Sequence, residues 1–395
     1  MEYQRLHFRD TRGRRRNMRL YGKASHMELG KVKQSLTLVA LTLAVLSVLL
    51  PVWADSGQSS SELPKVVDYS SYVTLVRNQG GAGGCGSMTS LAILDLLKEK
   101  EYPYAPDASY RFAEYVYNDR KINQLEVLKQ YGCCSEASLL TNYDPENPTV
   151  PSEKEFKEAP LHKIESYSDP INEVRVDDLR RCLYEHGPIF ASGDLPGSKP
   201  HGHVFAIIGY NDGTEQFTVI NSWGDRWRDN GMLRMPYRSI TNPPPNQDTP
   251  RVDWYRWVNN KASSELAPYT GRVRIRHESA RNHLTIRVGA RDRLPAVVWD
   301  RPNRTRIPDN SRNLLFDFPL PAYAAECWPP NKDHPWYVEI VDDGEEREAV
   351  RPIGVVEEVI LVERRLGREP VLYRLTTKKV PFQKGDTVTF WIGRK

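Results

Sequence analysis

Asn78-Gln79-Gly80-Gly81-Ala82-Gly83-Gly84-Cys85-Gly86-Ser87 runs without a break into Met88-Thr89-Ser90-Leu91-Ala92-Ile93-Leu94-Asp95-Leu96-Leu97. The glycines permit a tight turn, and the apolar spacing beyond Cys85 predicts a buried helix. That spacing puts the Cys85 sulfur at a helix N-terminus, where unpaired backbone N–H groups and the helix dipole favour a thiolate. A free cysteine is most often a small core residue. The glycine-rich setting, with Gln79 six residues upstream, argues for a nucleophile instead.

Two further stretches supply partners. Gly202-His203-Val204-Phe205-Ala206-Ile207-Ile208-Gly209-Tyr210 predicts a strand with His203 at its start. Asn221-Ser222-Trp223-Gly224 follows the strand-like Phe217-Thr218-Val219-Ile220, with Asn221 18 residues after His203. A lone histidine before an apolar strand is usually structural. Here an imidazole can take the thiol proton, and an amide oxygen can accept the imidazole N–H and fix its tautomer. Trp223 could cover that hydrogen bond. Nucleophile, base and orienting amide together predict a cysteine-nucleophile hydrolase.

These residues resemble the papain-like cysteine peptidases. The resemblance lies in the Gln-Gly…Cys stretch, the His-strand-Gly-Tyr stretch, and Asn-Ser-Trp-Gly followed by Trp227 and Asn230-Gly231, and it extends weakly over residues 62–237. It implies an α+β fold with a papain-like two-lobed catalytic domain, one lobe helical and one β-barrel-like. It further implies an endopeptidase acting on a peptide or protein substrate through a Cys85 acyl-enzyme. His203 would be base and acid, Asn221 its orienter, and Gln79 an oxyanion-hole donor beside the Cys85 N–H. The family places an earlier cysteine, a Ser or Ala, and a following aromatic around the nucleophile; this chain has Ala82, Gly84 and Gly86 there. Ala82 removes a disulfide and Gly86 an aromatic ring, but neither change removes a reacting group. The glycine-pair loop that lines the family's non-primed subsites is not found in the sequence.

By the same resemblance His201 falls on the S2 pocket wall, where protonation would favour acidic side chains; the plainer reading is an exposed loop residue beside Lys199-Pro200. Trp223 is the second candidate substrate-binding residue. Two other classes fit the same residues: an inactive papain-fold protein that binds peptides or surfaces, and an acyl transferase or amidase using the same acyl-enzyme.

Residues 1–54 read as a basic N-terminal stretch followed by a signal peptide or signal anchor. The apolar run at residues 35–50 is preceded by Lys31 and Lys33, and Val52-Trp53-Ala54 offers a cleavage site. The run is short for a membrane span of roughly 20 residues, so a membrane is a partner only if the segment stays uncleaved. A secreted or extracytoplasmic location is expected. Residues 1–26 carry eight Lys/Arg against Glu2 and Asp10 and read as a stretch upstream of a true start at Met18 or Met27. The whole chain is +4, and the part beyond residue 54 is roughly −3, which leaves no footprint for nucleic acid. Only about ten residues separate Ala54 from Pro64-Lys65-Val66-Val67-Asp68, which resembles the mature start of the family. Of five cysteines, Cys182 could pair with Cys133 or Cys134, although pairing cannot be deduced from sequence. No Cys-x-x-Cys or His-x-x-x-His occurs, so no metal and no cofactor are expected.

The catalytic domain is expected over residues 55–242 and a Pro-rich linker or packing extension over 243–267. An all-β sandwich accessory domain is expected over 268–395. The last rests on short alternating runs such as Leu284/Ile286/Val288 and Val359-Ile360-Leu361-Val362, separated by turn residues. Such a domain could carry a cell-surface or glycan ligand, with Trp299, Trp328 and Trp336 as a stacking face, though such tryptophans are more often core.

Overall fold

The computed structural model describes residues 62–395 except 81–82, 140–149, 199–201, 242–248, 260–267, 278–283, 292, 294, 301–312, 343–353, 365–367, 375–378, 383–385 and 393–395. Residues 1–54, Ala82 and His201 lie outside the described residues, as does the export segment with them.

The run beyond Cys85 forms helix α1 (Cys85–Glu101), buried along most of its circumference. Helices α2 (Tyr110–Arg120) and α3 (Gln124–Gln130) pack beside it. They start where Ser109 accepts from Phe112 N and Asn123 from Glu126 N, the usual cap chemistry. Helix α4 (Glu153–Glu158) opens with a reciprocal Ser152/Glu155 capping box. Helix α5 (Val176–Glu185) buries Leu179 and Leu183, four residues apart on one face. Helix α6 (Arg238–Thr241) is a single turn.

Seven strands make the first sheet: β1 (Val66–Asp68), β2 (Ser166–Tyr167), β3 (Ile189–Asp194), β4 (His203–Asn211), β5 (Gln216–Ile220), β6 (Met232–Pro236) and β7 (Arg251–Asn259). Their order is β2-β7-β3-β4-β5-β6, with β1 on the far end of β4 through Val66↔Asn211. Strand β4 is buried on both faces, which explains its unbroken apolar run. Val204, Ala206 and Ile208 pack with Leu91 and Leu94 of α1. Phe205, Ile207 and, past a bulge, Tyr210 pack with Leu179 and Leu183 of α5. The segment expected as a linker or packing extension therefore contains a strand, β7, which pairs with β3 from Ile189↔Trp257 to Asp194↔Arg251.

Nine further strands follow among the described residues: β8 (Tyr269–His277), β9 (Leu284–Ala290), β10 (Ala296–Asp300), β11 (Asn313–Pro319), β12 (Trp336–Asp342), β13 (Gly354–Glu363), β14 (Val371–Arg374), β15 (Val380–Phe382) and β16 (Thr387–Ile392). They form a sheet β10-β9-β12-β16 and a second sheet β11-β8-β13-β14 with β15 also on β13. Val273, Ile275 and Val359 of one sheet share a core with Ile286, Val338 and Ile340 of the other, which makes a sandwich. Strand β15 is three residues long with Pro381 at its centre, so no alternation announces it. Trp336 is fully buried, and Trp328 stacks among Tyr269 and Tyr373 while its Nε1 donates to Glu363 at 2.9 Å. Trp336 therefore belongs to the core and cannot stack on a sugar.

All five cysteines are free. Cys133 and Cys134 are buried in the helical core, whereas Cys182 packs against the core on the other side of the sheet. Cys182 therefore does not pair with Cys133 or Cys134, a pairing the sequence left open, because they face a different core.

Arginines clasp the sandwich to the helical lobe. Arg272 of β8 donates from Nε and Nη2 to Asp317 at 2.6 and 2.8 Å, and from Nη1 and Nη2 to Glu99 of α1 at 3.0 and 3.2 Å. Its guanidinium also lies 4.8 Å from the centroid of the Tyr104 ring. Arg364 donates to Pro103 O at 3.2 Å. Behind this contact lies a buried charged set: Arg77 pairs with Asp95, and Lys98 donates to Pro106 O at 2.6 Å. Asp107 accepts from Thr74 Oγ1 at 3.2 Å.

Burial pushes the Asp107 carboxyl up to about 8; Asp95 and Asp317 add to the rise, and Arg77 and Arg272 oppose it. The folded protein thus holds this proton where the unfolded chain, with an ordinary carboxyl near 3.9, has lost it. The folded state then binds more protons, so this group's contribution to stability falls as pH rises from about 4 to about 8. Asp107→Asn is expected to flatten that fall, leaving the variant more stable than the parent at pH 8 and little changed at pH 4. Urea midpoints at the two pH values check it, and parallel pH profiles would count against it.

Candidate active site

Helix α1 begins at Cys85 with Gly84 as its cap residue; no side chain caps it and its first turn carries no acid. The N–H groups there are not consumed by a capping side chain. A methyl at Gly84 would overlap the phenol of Tyr110, so glycine is needed for this close approach. One turn on, Thr89 Oγ1 donates to Val204 O at 3.1 Å. That bond ties the first turns of the cysteine helix to the residue next to His203. On the other side Ser87 Oγ donates to Glu114 Oε2 of α2 at 2.7 Å. Cys85 itself is half-buried at this junction.

His203 opens β4 and is 6% exposed, so the imidazole is largely shielded from water. Its Nε2 lies 2.7 Å from Asn221 Oδ1. The same Oδ1 accepts the Ser222 backbone N–H at 2.7 Å. A backbone N–H can only donate, so the Asn221 atom is the oxygen and His203 Nε2 must carry the proton. In the neutral ring Nδ1 is then the basic nitrogen. Burial holds the imidazole below its ordinary value, and the Asn221 hydrogen bond partly offsets that. Trp223 lies over the ring, with centroids 4.6 Å apart, and Trp227 meets Trp223 edge-on at 5.4 Å. The indoles screen the His203–Asn221 bond from competing water.

Gln79 is brought to the same place by a short ladder. Gln79 N donates to Ser222 O at 2.8 Å, and Gly224 N to Arg77 O at 3.0 Å. Asn78 Oδ1 accepts from Gly80 N at 2.9 Å, with Gly80 at φ +56°, a left-handed turn suited to glycine. Ser222 Oγ donates to Gln79 Oε1 at 2.5 Å, which turns the Nε2 end of the amide away from Ser222. Ser222 therefore holds both amides, Asn221 through its N–H and Gln79 through its hydroxyl. Ser222 stands inside the Asn-Ser-Trp-Gly motif and Thr89 inside the helical run, and neither carries a local signal of this role. A chemical set of thiol, imidazole, orienting amide and donor amide can support nucleophilic attack on a carbonyl and stabilise the resulting oxyanion.

A helical lobe packed on an antiparallel sheet, with a cysteine heading the central helix and an Asn-held histidine opening the central strand, defines a papain-like two-lobed α+β architecture. Residues 94–242 match the family described as papain family cysteine protease, and a β domain follows the matched interval. The matched interval starts after Cys85. An uncharacterized peptidase C1-like protein of Acanthamoeba polyphaga mimivirus is 28% identical over 145 residues, 30% of this chain and 46% of that protein. The chain thus spans about half the length of that relative. Zingipain-2 of Zingiber officinale is 24% identical over 212 residues, 46% of this chain and 91% of its own. Among solved structures, xylellain, a cysteine protease from Xylella fastidiosa, is 20% identical with a TM-score of 0.41, covering 50% of this chain and 87% of its own. The cysteine protease and lectin-like domains of Cwp84, a surface layer associated protein of Clostridium difficile, are 11% identical with a TM-score of 0.39, covering 85% and 89%. Both structural likenesses are weak.

Of the six candidate site residues, Gln79, His203, Asn221 and Trp223 are joined by the contacts above, and Cys85 is tied to them through α1. His201 lies outside the described residues. Among the described residues no three His, Cys, Asp or Glu side chains are grouped to hold a metal ion, and no helix is long and apolar enough to cross a membrane.

Proposed function

We propose that the chain is an exported cysteine endopeptidase. The thiolate of Cys85 attacks a peptide carbonyl carbon, forming a C–S bond and an oxyanion. Gln79 Nε2 and the Cys85 N–H donate to that oxyanion. His203 takes the thiol proton at Nδ1 and delivers it to the leaving amine as the C–N bond breaks. Water then hydrolyses the acyl-enzyme with His203 as base. The observation that carries this reading is the convergence of His203 Nε2–H and Ser222 N–H on Asn221 Oδ1, which presets the tautomer the mechanism needs. Export rests on the apolar run before Val52-Trp53-Ala54. Within the exported part, the catalytic unit extends through Asn259 and the sandwich follows from Tyr269.

Labelling by an epoxysuccinyl probe tests the reading, with wild type set against Cys85→Ser and His203→Ala. A label lost in both variants supports it; no Cys85-dependent label sinks it and leaves a peptide-binding papain fold. Hydrolysis against aminolysis of the same peptide separates a peptidase from a transferase. Gln79→Ala is expected to lower kcat by about 10²–10³-fold with KM nearly unchanged, because its bond forms only as the oxyanion develops. Rates normalised to titrated Cys85 check this; a change confined to KM would argue against the oxyanion role.

A further inference from the structure

The space beside Gly86 is filled from a facing helix. A Cβ built on Gly86 would lie 3.0 Å from Cδ and Nε2 of Gln124 and 3.3 Å from Oε1, so the whole amide rests against the residue after Cys85. Gln124 is the first residue of α3 and is half-buried. Its backbone is held firmly. Lys121 closes α2 in a left-handed conformation at φ 56°, and Asn123 both caps α3 at 2.9 Å and donates to the Tyr167 hydroxyl at 3.1 Å. The Gln124 amide, by contrast, makes no hydrogen bond among the described residues. A primary amide offers two donors and an acceptor oxygen. Among the described residues no group satisfies them.

We propose that Gln124 is a substrate-contacting, specificity-determining residue whose amide hydrogen-bonds a polar group on the acyl side of the bound peptide. This rests on the peptidase reading given above. The side follows from the chemistry of the leaving group. His203 delivers a proton to the leaving amine, so the leaving segment lies toward His203 and Trp223 on the sheet lobe. Gln124 approaches Gly86, the residue after Cys85, from the helical lobe, on the side where the acyl segment would remain. An amide whose water partners are displaced by an apolar group is left unpaired, and sites of this kind discriminate strongly. The missing side chain at Gly86 and the amide at Gln124 are thus one feature: a Cβ at position 86 would already press on the amide.

The test reads peptide binding to the Cys85→Ser protein, which needs no turnover, using a library varied on the acyl side of a fixed sequence. Gln124 is kept, or replaced as Gln124→Glu or Gln124→Leu, with urea midpoints confirming that each variant folds. At one acyl-side position Gln124→Glu is expected to shift preference toward Lys and Arg over Asp and Glu by about tenfold. Gln124→Leu is expected to shift it from Gln and Ser toward Leu and Met by about tenfold. Unchanged preference at every position in both variants overturns the inference, as does failure of every protein to bind any peptide. Cleavage of the same library by wild type is scored separately, so failure of the peptidase reading and failure of the Gln124 assignment are distinguishable.

Discussion

Cys85→Ser is expected to lower kcat/KM for a peptide substrate by about 10⁴-fold or more while leaving the fold intact. A thiol ordinarily loses its proton near pH 8.5, within reach of an imidazole, whereas an aliphatic hydroxyl does so only in far stronger base. His203 is held below its ordinary value by burial, so it is a weak base and is poorly matched to an alcohol. The oxygen is smaller than sulfur, and the bonds that fix the first turns of α1, Thr89 to Val204 and Ser87 to Glu114, do not involve position 85. Stability should therefore stay near that of the parent. On the proposed mechanism His203→Ala should cost a comparable factor, and the double variant little more, because the two residues would act as a unit. Fluorogenic peptide hydrolysis with parallel urea unfolding reads both. Substantial turnover by pure Cys85→Ser protein would rule out the thiol as nucleophile.

Arg272→Met is expected to destabilise the protein by about 3–5 kcal/mol, the scale seen when one partner of a buried ion pair is removed. Its two partners are shielded, with Asp317 at 0% side-chain exposure and Glu99 at 13%. Burial already lifts the Asp317 carboxyl, and the Arg272 contact works against that lift. Without the guanidinium, two neighbouring buried carboxylates lose their shared ion-pair partner and keep only the charge of Arg364 nearby. They recover neutrality only by binding protons, so the deficit should be larger at pH 7 than at pH 4. Adding Glu99→Gln and Asp317→Leu should restore most of the loss, since an ionic set replaced as a whole by neutral groups is often nearly neutral. Denaturant unfolding of the single and triple variants measures this. A single-variant loss below about 1 kcal/mol would place the contact with ordinary surface pairs.

Local signals carried much of the fold and the site. Cys85, His203 and Asn221 each stand at the edge of a regular element, where glycine turns and apolar periodicity are visible in a few residues. The alternating run at Leu284–Ala290 and the short apolar run Val371-Leu372-Tyr373 were legible for the same reason. What escaped depends on distant partners. Arg251–Asn259 follows a Pro-rich stretch, and nothing local says that it pairs with β3. Asp95 and Lys98 sit inside an apolar helix whose period is readable. Their role depends on Arg77, Pro106 and Asp107 folding back over them. Gln124 has no motif at all; only the approach of α3 to Gly86 reveals it. The cysteines misled because counting cannot tell which of two cores each one faces.

Strand β7 has a bearing on how this protein is made. The first sheet runs β2-β7-β3-β4, so the edge of β3 that bears Ile189 to Asp194 waits for partners encoded some sixty residues later. As the chain leaves the ribosome, β3, β4, β5 and β6 can assemble while that edge stays open and apolar, a template for pairing with a neighbouring nascent chain. An expression truncation that stops at residue 242, where the family match ends, would freeze the molecule in that aggregation-prone stage. One that continues through Asn259 would let the sheet close before synthesis of the second domain begins.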